Sequence, residues 1–217
     1  LTEAVNKLAK ALGLAGEHVL KRNPYEPWRQ YVSLLVIKVE NTIAQNHSDS
    51  NSYYRSSTFL SEDLKFIRNI LIENGAKGIA IDLVFPVERA VQCFGFHLAK
   101  LDIRQNSTFY EKAVTQILKK SGFEKFDFNT WDEASRVNFL TKELEKHAPI
   151  TDITMSYGDE ADNVLDCFRV LRQHINQFGT DGIGSLIVSM TRSLSDLLVV
   201  YFLMRETQLL NTSLRVA

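Results

Sequence analysis

Apolar residues recur at three- and four-residue spacing through most of this chain, and the interval tightens to two in only a few short stretches. The pattern predicts a mainly helical protein with a small β component. Residues 1–14 carry the helical spacing, with Gly13 and Gly16 as stop signals. Pro27 suits the first turn of a second helix that runs to about residue 45, and the two are expected to lie antiparallel. Residues 47–57 are rich in Ser and Asn, with Tyr53 and Tyr54 their only bulky side chains. That composition predicts a loop near 46–57 and local disorder there. Ser61 caps an expected helix over 62–74, closed by Gly75, and another is expected over 83–93 with Pro86 near its first turn.

From 96 to 104 the period is two, with Ala99, Leu101 and Ile103 on one face and Lys100, Asp102 and Arg104 on the other. This predicts a strand with one packed and one charged face. Ser107 and Thr108 then offer capping oxygens, and Thr108 with Glu111 reads as a capping box ahead of a helix over 109–119. Arg104 is thereby expected on a strand-to-helix turn, at the carboxyl end of its strand, where parallel sheets and barrels bind ligands. Thr130 with Glu133 predicts the start of a helix over 131–146, and residues 159–178 form a long amphipathic helix through Val164, Leu165, Phe168, Leu171 and Ile175. Residues 184–190 read as a second strand, Ser193 with Asp196 caps a helix over 194–210, and 214–217 reads as the start of a third strand. The expected fold class is α/β and predominantly helical. Long crossovers between strands favour a barrel with large helical insertions, preceded by a helical region: 1–93 helical, 94–217 a partial barrel.

Composition permits this without requiring it. With 45% hydrophobic and 24% charged residues the chain can bury a good core in one or two domains. Lys plus Arg is 25 against 26 for Asp plus Glu, so no basic field draws it to nucleic acid or an anionic membrane. The longest apolar run, 197–204, is far short of a membrane span, and no signal-peptide layout opens the chain. Cys93 and Cys167 lack a CxxC context, which points to two free thiols in a reducing cytoplasm.

Few residues suggest chemistry. His18, His47, His97, His147 and His174 are scattered without metal-ligand spacing, and His97 falls on the apolar side of its predicted strand as a packing residue. The glycine-rich stretch 179–184 precedes its strand and lacks a Gly-Lys-Ser/Thr sequence, so it reads as a loop. Asp159, Glu160 and Asp162 suit a helix N-terminus. Arg192 reads as a solvated loop arginine. For Arg104 two readings stand: a minor surface ion pair with Asp102, or a guanidinium that holds an anion by two oxygens.

Phe94-Gly95, Leu101-Asp102-Ile103-Arg104-Gln105 and Ser107 resemble the F-G…L-D-I-R-Q-x-S signature of phosphoenolpyruvate carboxylases. Trp131 and Glu133, Leu140, Glu143-Leu144 up to Pro149, and Val164-Leu165-Asp166 are similar to further family segments in the same order. So are Ile187-Val188-Ser189-Met190 with Ser195-Asp196-Leu197-Leu198, and, upstream, Glu26-Pro27-Trp28-Arg29 against E-P-Y-R. The resemblance implies part of a (β/α)8 TIM barrel from a homotetrameric enzyme. Such an enzyme converts phosphoenolpyruvate and bicarbonate to oxaloacetate and phosphate, through carboxyphosphate and an enolate, with Mg2+ or Mn2+. It also implies that Arg104 contacts the substrate phosphate, that Gln105 orients it or lines the pocket, and that Arg29 lies near a sugar-phosphate activator site.

The departures are specific. Trp28 replaces Tyr, and Asn106 and Tyr110 stand where the family often has an acid and a histidine. The motifs T-A-H-P-T, G-Y-S-D-S-x-K-D-A-G and F-H-G-R-G-G are absent. Residues 214–217 resemble the L-R-V-V/A segment that leads into the metal-binding P-L-F-E-T. With those motifs missing the chain is expected to be a central fragment, whether excised, as its opening on Leu1 hints, or naturally truncated, with no catalytic or metal-binding residue of its own and no activity in isolation. The alternatives are a non-catalytic helical interaction module and an anion-binding module using Arg29 or Arg104.

Overall fold

The computed structural model describes residues 1–45, 51–146 and 148–217. His47, His147 and the first half of the expected loop lie outside the described residues. The chain divides into two compact units, Leu1–Ala99 and Lys100–Ala217.

In the first unit, α1 (Thr2–Ala11) and α2 (Gly13–Arg22) are joined by a sharp corner at Gly13, whose φ of 56° suits a residue without Cβ. Gly16 does not stop a helix; it lies inside α2. A Cβ there would sit 2.1 Å from the Ala9 carbonyl oxygen, so glycine is what lets the two backbones touch. The helix α3 (Pro27–Ile43) begins at proline as the sequence predicts. Helix α4 spans Ser57–Glu73, one turn earlier than expected, because Leu60 is buried and continues the stripe of Ile67 and Leu71 back into the Ser-rich segment. The remainder of the expected loop is packed. Tyr54 is buried, its backbone N–H donates to Thr42 Oγ1 at 2.9 Å, and Asn41 Nδ2 donates to the Ser52 carbonyl at 2.9 Å.

A helical stretch then runs through α5 (Lys77–Ile79), a π-helical turn (Ala80–Val84) and α6 (Phe85–Phe94). Pro86 has no N–H to give to the preceding turn, and a local widening of the helix relieves that break. The core of this unit joins Val5, Ala9, Val19, Tyr31, Leu34, Ile67 and Leu71. Buried Glu88 on α6 holds Arg68 of α4 at 2.6 Å.

The second unit is a predominantly helical α/β arrangement around a small parallel sheet. Its elements are β1 (Leu101–Asn106), α7 (Ser107–Lys120), α8 (Glu133–Leu144), α9 (Asp159–Phe178), β2 (Ile183–Ser189), α10 (Leu194–Glu206) and β3 (Arg215–Val216). The strands lie in the order β1-β2-β3, all parallel, with Ile103 opposite Leu186, Arg104 opposite Ile187, and Leu186 opposite Val216. Leu186, Ile117, Leu118, Leu140, Phe168 and Phe202 form a dry core, with Ile103 and Val216 packed against it.

The first strand starts five residues later than its alternation suggests, and the strand runs on to Asn106. Among the described residues no strand neighbours those upstream of Leu101; Leu98 adopts φ 61° and Ala99 N–H turns back to the His97 carbonyl. His97 is therefore a half-buried turn residue, and Leu101 is 71% exposed, so of the supposedly packed face only Ile103 is packed. The caps shift as well. Asn106 accepts from Phe109 N–H at 2.8 Å, in place of a Thr108–Glu111 box, and Asp132 accepts from Ser135 N–H at 2.9 Å, in place of Thr130. The Ser193–Asp196 capping box forms as predicted, although α10 ends at Glu206.

Candidate functional site

The carboxyl ends of β1 and β2 carry the candidate residues. Because Ile103 packs against the helices and side chains alternate along a strand, Arg104 projects from the opposite, open face of the sheet. Among the described residues its guanidinium has no hydrogen-bond or ion-pair partner. The ion pair with Asp102 is not made. Asp102 Oδ1 instead accepts the Ser185 backbone N–H at 2.9 Å, filling the space where a Gly184 Cβ would stand 2.1 Å away. This side chain closes the irregularity in the β1–β2 register between Leu101 and Ile103. Gln105 is half-buried: its Oε1 accepts from Asn106 N–H at 2.9 Å, and its carbonyl accepts from Ser189 Oγ at 3.4 Å. It shapes the turn that follows Arg104.

Above the strands the two turns are laced together. Ser107 Oγ donates to the Met190 carbonyl at 2.9 Å. Buried Glu111, on the first turns of α7, uses one oxygen to accept from Arg136 at 2.5 Å and from Arg192 at 2.6 Å. Arg192 also reaches Asp196, with Nη2 3.0 Å from Oδ1 and its backbone N–H 2.7 Å from Oδ2. Although 55% of its side chain is exposed, Arg192 is thus no free solvated arginine. Burial pushes the Asp196 carboxyl up, but the hydrogen bonds and charge of Arg192 outweigh that and hold it below the usual range. The hydrogen bond to Asp196 in turn raises Arg192. Glu133 behaves like Asp196. Burial opposes its ionisation, and the Ser195 and Ser193 hydroxyls with Ser195 N–H, at 2.6 to 2.9 Å, lower its pKa nonetheless.

Local sequence patterns place Arg104 at a strand end but give Glu111 only a capping role, whereas it pairs with Arg136 and Arg192. The partners of Glu111 lie 25 and 81 residues away, so no local spacing signals them.

Arg29 lies in the first unit, exposed on the first turn of α3, with Nη1 3.1 Å from Glu26 Oε2. The same unit contains a cleft of about 880 Å3 lined in part by Lys7, Tyr31, Lys38, Phe59 and Asp63, which does not include Arg29. Asp63 is already committed there, accepting from Tyr54 at 2.8 Å, Tyr31 at 3.3 Å and Lys38 at 3.4 Å. Burial, and then the charge of Asp63, push both tyrosine hydroxyls well above their ordinary range. Among the described residues no helix is long and apolar enough to cross a membrane, and Cys93 and Cys167 are free and exposed.

Parallel βα units with, among the described residues, an unpaired cation on the open face of the sheet define a class: an α/β domain that presents a cationic group near its strand ends. The sequence model of phosphoenolpyruvate carboxylase matches residues 1–217, and the chain belongs to that family. It is 36% identical over 157 residues to a phosphoenolpyruvate carboxylase of Aromatoleum aromaticum, covering 72% of this chain and 17% of that protein. With the phosphoenolpyruvate carboxylase of Bradyrhizobium diazoefficiens it shares 32% identity over 199 residues, 88% of this chain and 21% of the relative. The one from Roseiflexus castenholzii is 28% identical over 219 residues, 96% of this chain and 23% of the relative. The chain thus spans about a fifth of the length of the curated relatives it matches.

Proposed function

We propose that this chain is the central segment of an enzyme that forms oxaloacetate and phosphate from phosphoenolpyruvate and bicarbonate, feeding carbon into the tricarboxylic acid cycle, and that Arg104 holds the substrate phosphate. The observation that carries this reading is the unpartnered guanidinium of Arg104 on the open face of a parallel sheet, inside the Leu101–Gln105 family signature. Its planar fork fits two phosphate oxygens and keeps its charge throughout. As the phosphoryl group passes to bicarbonate, a bicarbonate oxygen bonds to phosphorus, the phosphorus–enol oxygen bond breaks and negative charge develops on the departing enolate oxygen, and a fixed cation beside the phosphate orients that transfer. Gln105, hydrogen-bonded to its own turn, sets the backbone from which Arg104 extends and lines the same pocket.

The three parallel strands in sequential order are read as part of a (β/α)8 barrel completed by other segments. The whole enzyme is read as a cytoplasmic homotetramer. Arg29, exposed and, among the described residues, held by Glu26 alone, is assigned to the sugar-phosphate activator site. The family implies Mg2+ or Mn2+, yet among the described residues no group of three or more His, Cys, Asp or Glu side chains is placed to hold a metal ion, so the residues present do not fit one. No step is routed through the metal, and the isolated chain is expected to be inactive.

The test is Arg104→Gln in the whole carboxylase. Loss of charge-assisted hydrogen bonds of this kind should raise KM for phosphoenolpyruvate by about 10- to 100-fold. Folding should be preserved, since the side chain supports no other group. Unchanged KM and kcat would overturn the assignment.

A further inference from the structure

The two strand-to-helix turns are tied at successive levels. Arg104 lies opposite Ile187 in the ladder, the Gln105 carbonyl accepts from Ser189, Ser107 donates to the Met190 carbonyl, and Glu111 accepts from Arg192. The lower ties are backbone pairing and neutral hydrogen bonds, one of them at 3.4 Å. Among the described residues the topmost alone joins ionised groups, with a buried carboxylate as acceptor, so it is the strongest single link between the turns. It is also braced on both sides. Arg136 from α8 fixes Glu111, and Asp196 from α10 fixes Arg192. Met190, at the base of the second turn, adopts φ 60°, a conformation costly for a side-chain-bearing residue, which neighbouring contacts must hold in place.

From this arrangement we infer that Arg192 is a positioning residue for the substrate site. Its link to Glu111 sets the spacing between the turn after β2 and the turn after β1, and so fixes where Arg104 and Gln105 present themselves. The inference rests on the reading of Arg104 as the phosphate contact. It adds a requirement that the family signature around Arg104 does not contain: the guanidinium at 192 acts through Glu111 without touching the substrate. Arginine is needed because one side chain must serve two carboxylates from different helices, which its planar fork can do and a lysine ammonium does less well.

The experiment uses the whole carboxylase with Arg192→Gln, Arg192→Lys, Glu111→Gln, the Glu111→Gln/Arg192→Gln double variant, and Arg104→Gln, read by KM for phosphoenolpyruvate, kcat and thermal midpoint. A displaced contact in a site that depends on orientation should cost Arg192→Gln about tenfold in kcat/KM, carried mainly by KM. Arg192→Lys should recover part of that loss, and the double variant should be no worse than the poorer single variant, because both remove one link. Arg192→Gln is the primary probe, since its half-exposed side chain leaves the fold less dependent on it than on buried Glu111. If Arg192→Gln lowers the thermal midpoint while KM and kcat stay within about twofold of the parent, and Arg104→Gln is impaired, the residue is structural and the inference is wrong. If Arg104→Gln is itself silent, the reading of the substrate site has failed, and the positioning role falls with it.

Discussion

Asp102 and Arg104 stand two residues apart, where a strand would place them side by side, and they do not pair because each answers to a different neighbour. Asp102 turns sideways to the Ser185 N–H, a direction opened by the missing Cβ of Gly184. Arg104 is left with open solvent in front of it, and the cost of its isolation is small because it remains hydrated. Single atoms decide matters in the first unit too. At Gly16 the position of an added Cβ lies 2.1 Å from the Ala9 carbonyl oxygen and 2.6 Å from its Cα, both backbone atoms that cannot rotate away. Gly16→Ala should therefore force α2 off α1 and destabilise this unit by at least about 2 kcal/mol, as overpacking does. Gly78→Ala is the control, since nothing lies within 4 Å of its Cβ position and its φ needs no glycine. That change should be neutral or stabilising by about 0.5 kcal/mol. Urea unfolding followed through Trp28, which packs against this core, separates the two; equal midpoints for both variants would refute the close-contact argument.

At the scale of elements, two helices of the second unit begin on side chains whose charge state their surroundings fix. Asp132, Glu133 and Asp196 sit at or near the amino ends of α8 and α10, and each is held below its ordinary carboxyl range. For Asp132 the hydrogen bond from Ser135 N–H comes first among the causes; for Glu133 and Asp196 burial opposes the shift and is outweighed by hydrogen bonds. A carboxyl whose folded pKa lies below its unfolded value takes up protons more readily when unfolded, so its contribution is complete above the unfolded value and is lost as pH falls through the folded one. With ordinary values of 3.8 for Asp and 4.5 for Glu, the second unit should hold its urea midpoint from pH 7 to about 5.5 and lose stability progressively below about pH 4.5. Asp196→Asn should lower the midpoint at pH 7 and flatten the acid slope, measured through Trp131. Parallel pH profiles for parent and variant would exclude Asp196 from that slope. These termini also show what the sequence makes legible. The helix Asp159–Phe178 is readable to its ends because a long amphipathic stripe is bounded by Gly158 and Gly179, and the Ser193–Asp196 box is readable because donor and acceptor lie within one turn. The start of β1 is not, since alternation continues through residues 96–100 whereas pairing requires β2, which begins only at Ile183. Likewise the family motif singles out Arg104, while the Glu111–Arg192 link, spanning 81 residues, becomes visible only once the turns are folded together.

For the molecule as a whole, the decisive feature is how much apolar surface the folded chain leaves uncovered. Along the helical stretch before β1, Ile79, Ile81, Leu83, Phe85 and Val87 succeed one another at two-residue intervals, each at least 40% exposed, with Phe94 and Phe96 beyond them. Spacing of four places Ile79, Leu83 and Val87 along one side of the helical stretch. Single exposed apolar residues are normal, but a patch of this extent marks a surface that other protein normally covers. The sheet adds unpaired strand edges at β1 and β3, each offering backbone donors and acceptors to a neighbour. A chain that spans about a fifth of its relatives' length has reason to carry such surfaces, since in the intact protein further segments are expected against them. The isolated chain should therefore self-associate, its sedimentation coefficient rising with concentration through the micromolar range and falling when salt is lowered, because hydrophobic association weakens as salting-out is removed. Leu83→Lys with Val87→Glu places opposite charges one turn apart on the patch without introducing net charge, and should shift the chain toward monomer with its helical content intact. A parent chain that stays a compact monomer at every concentration would show that this surface drives no association. An unaltered association in the double variant would place the contact at the open sheet edges instead.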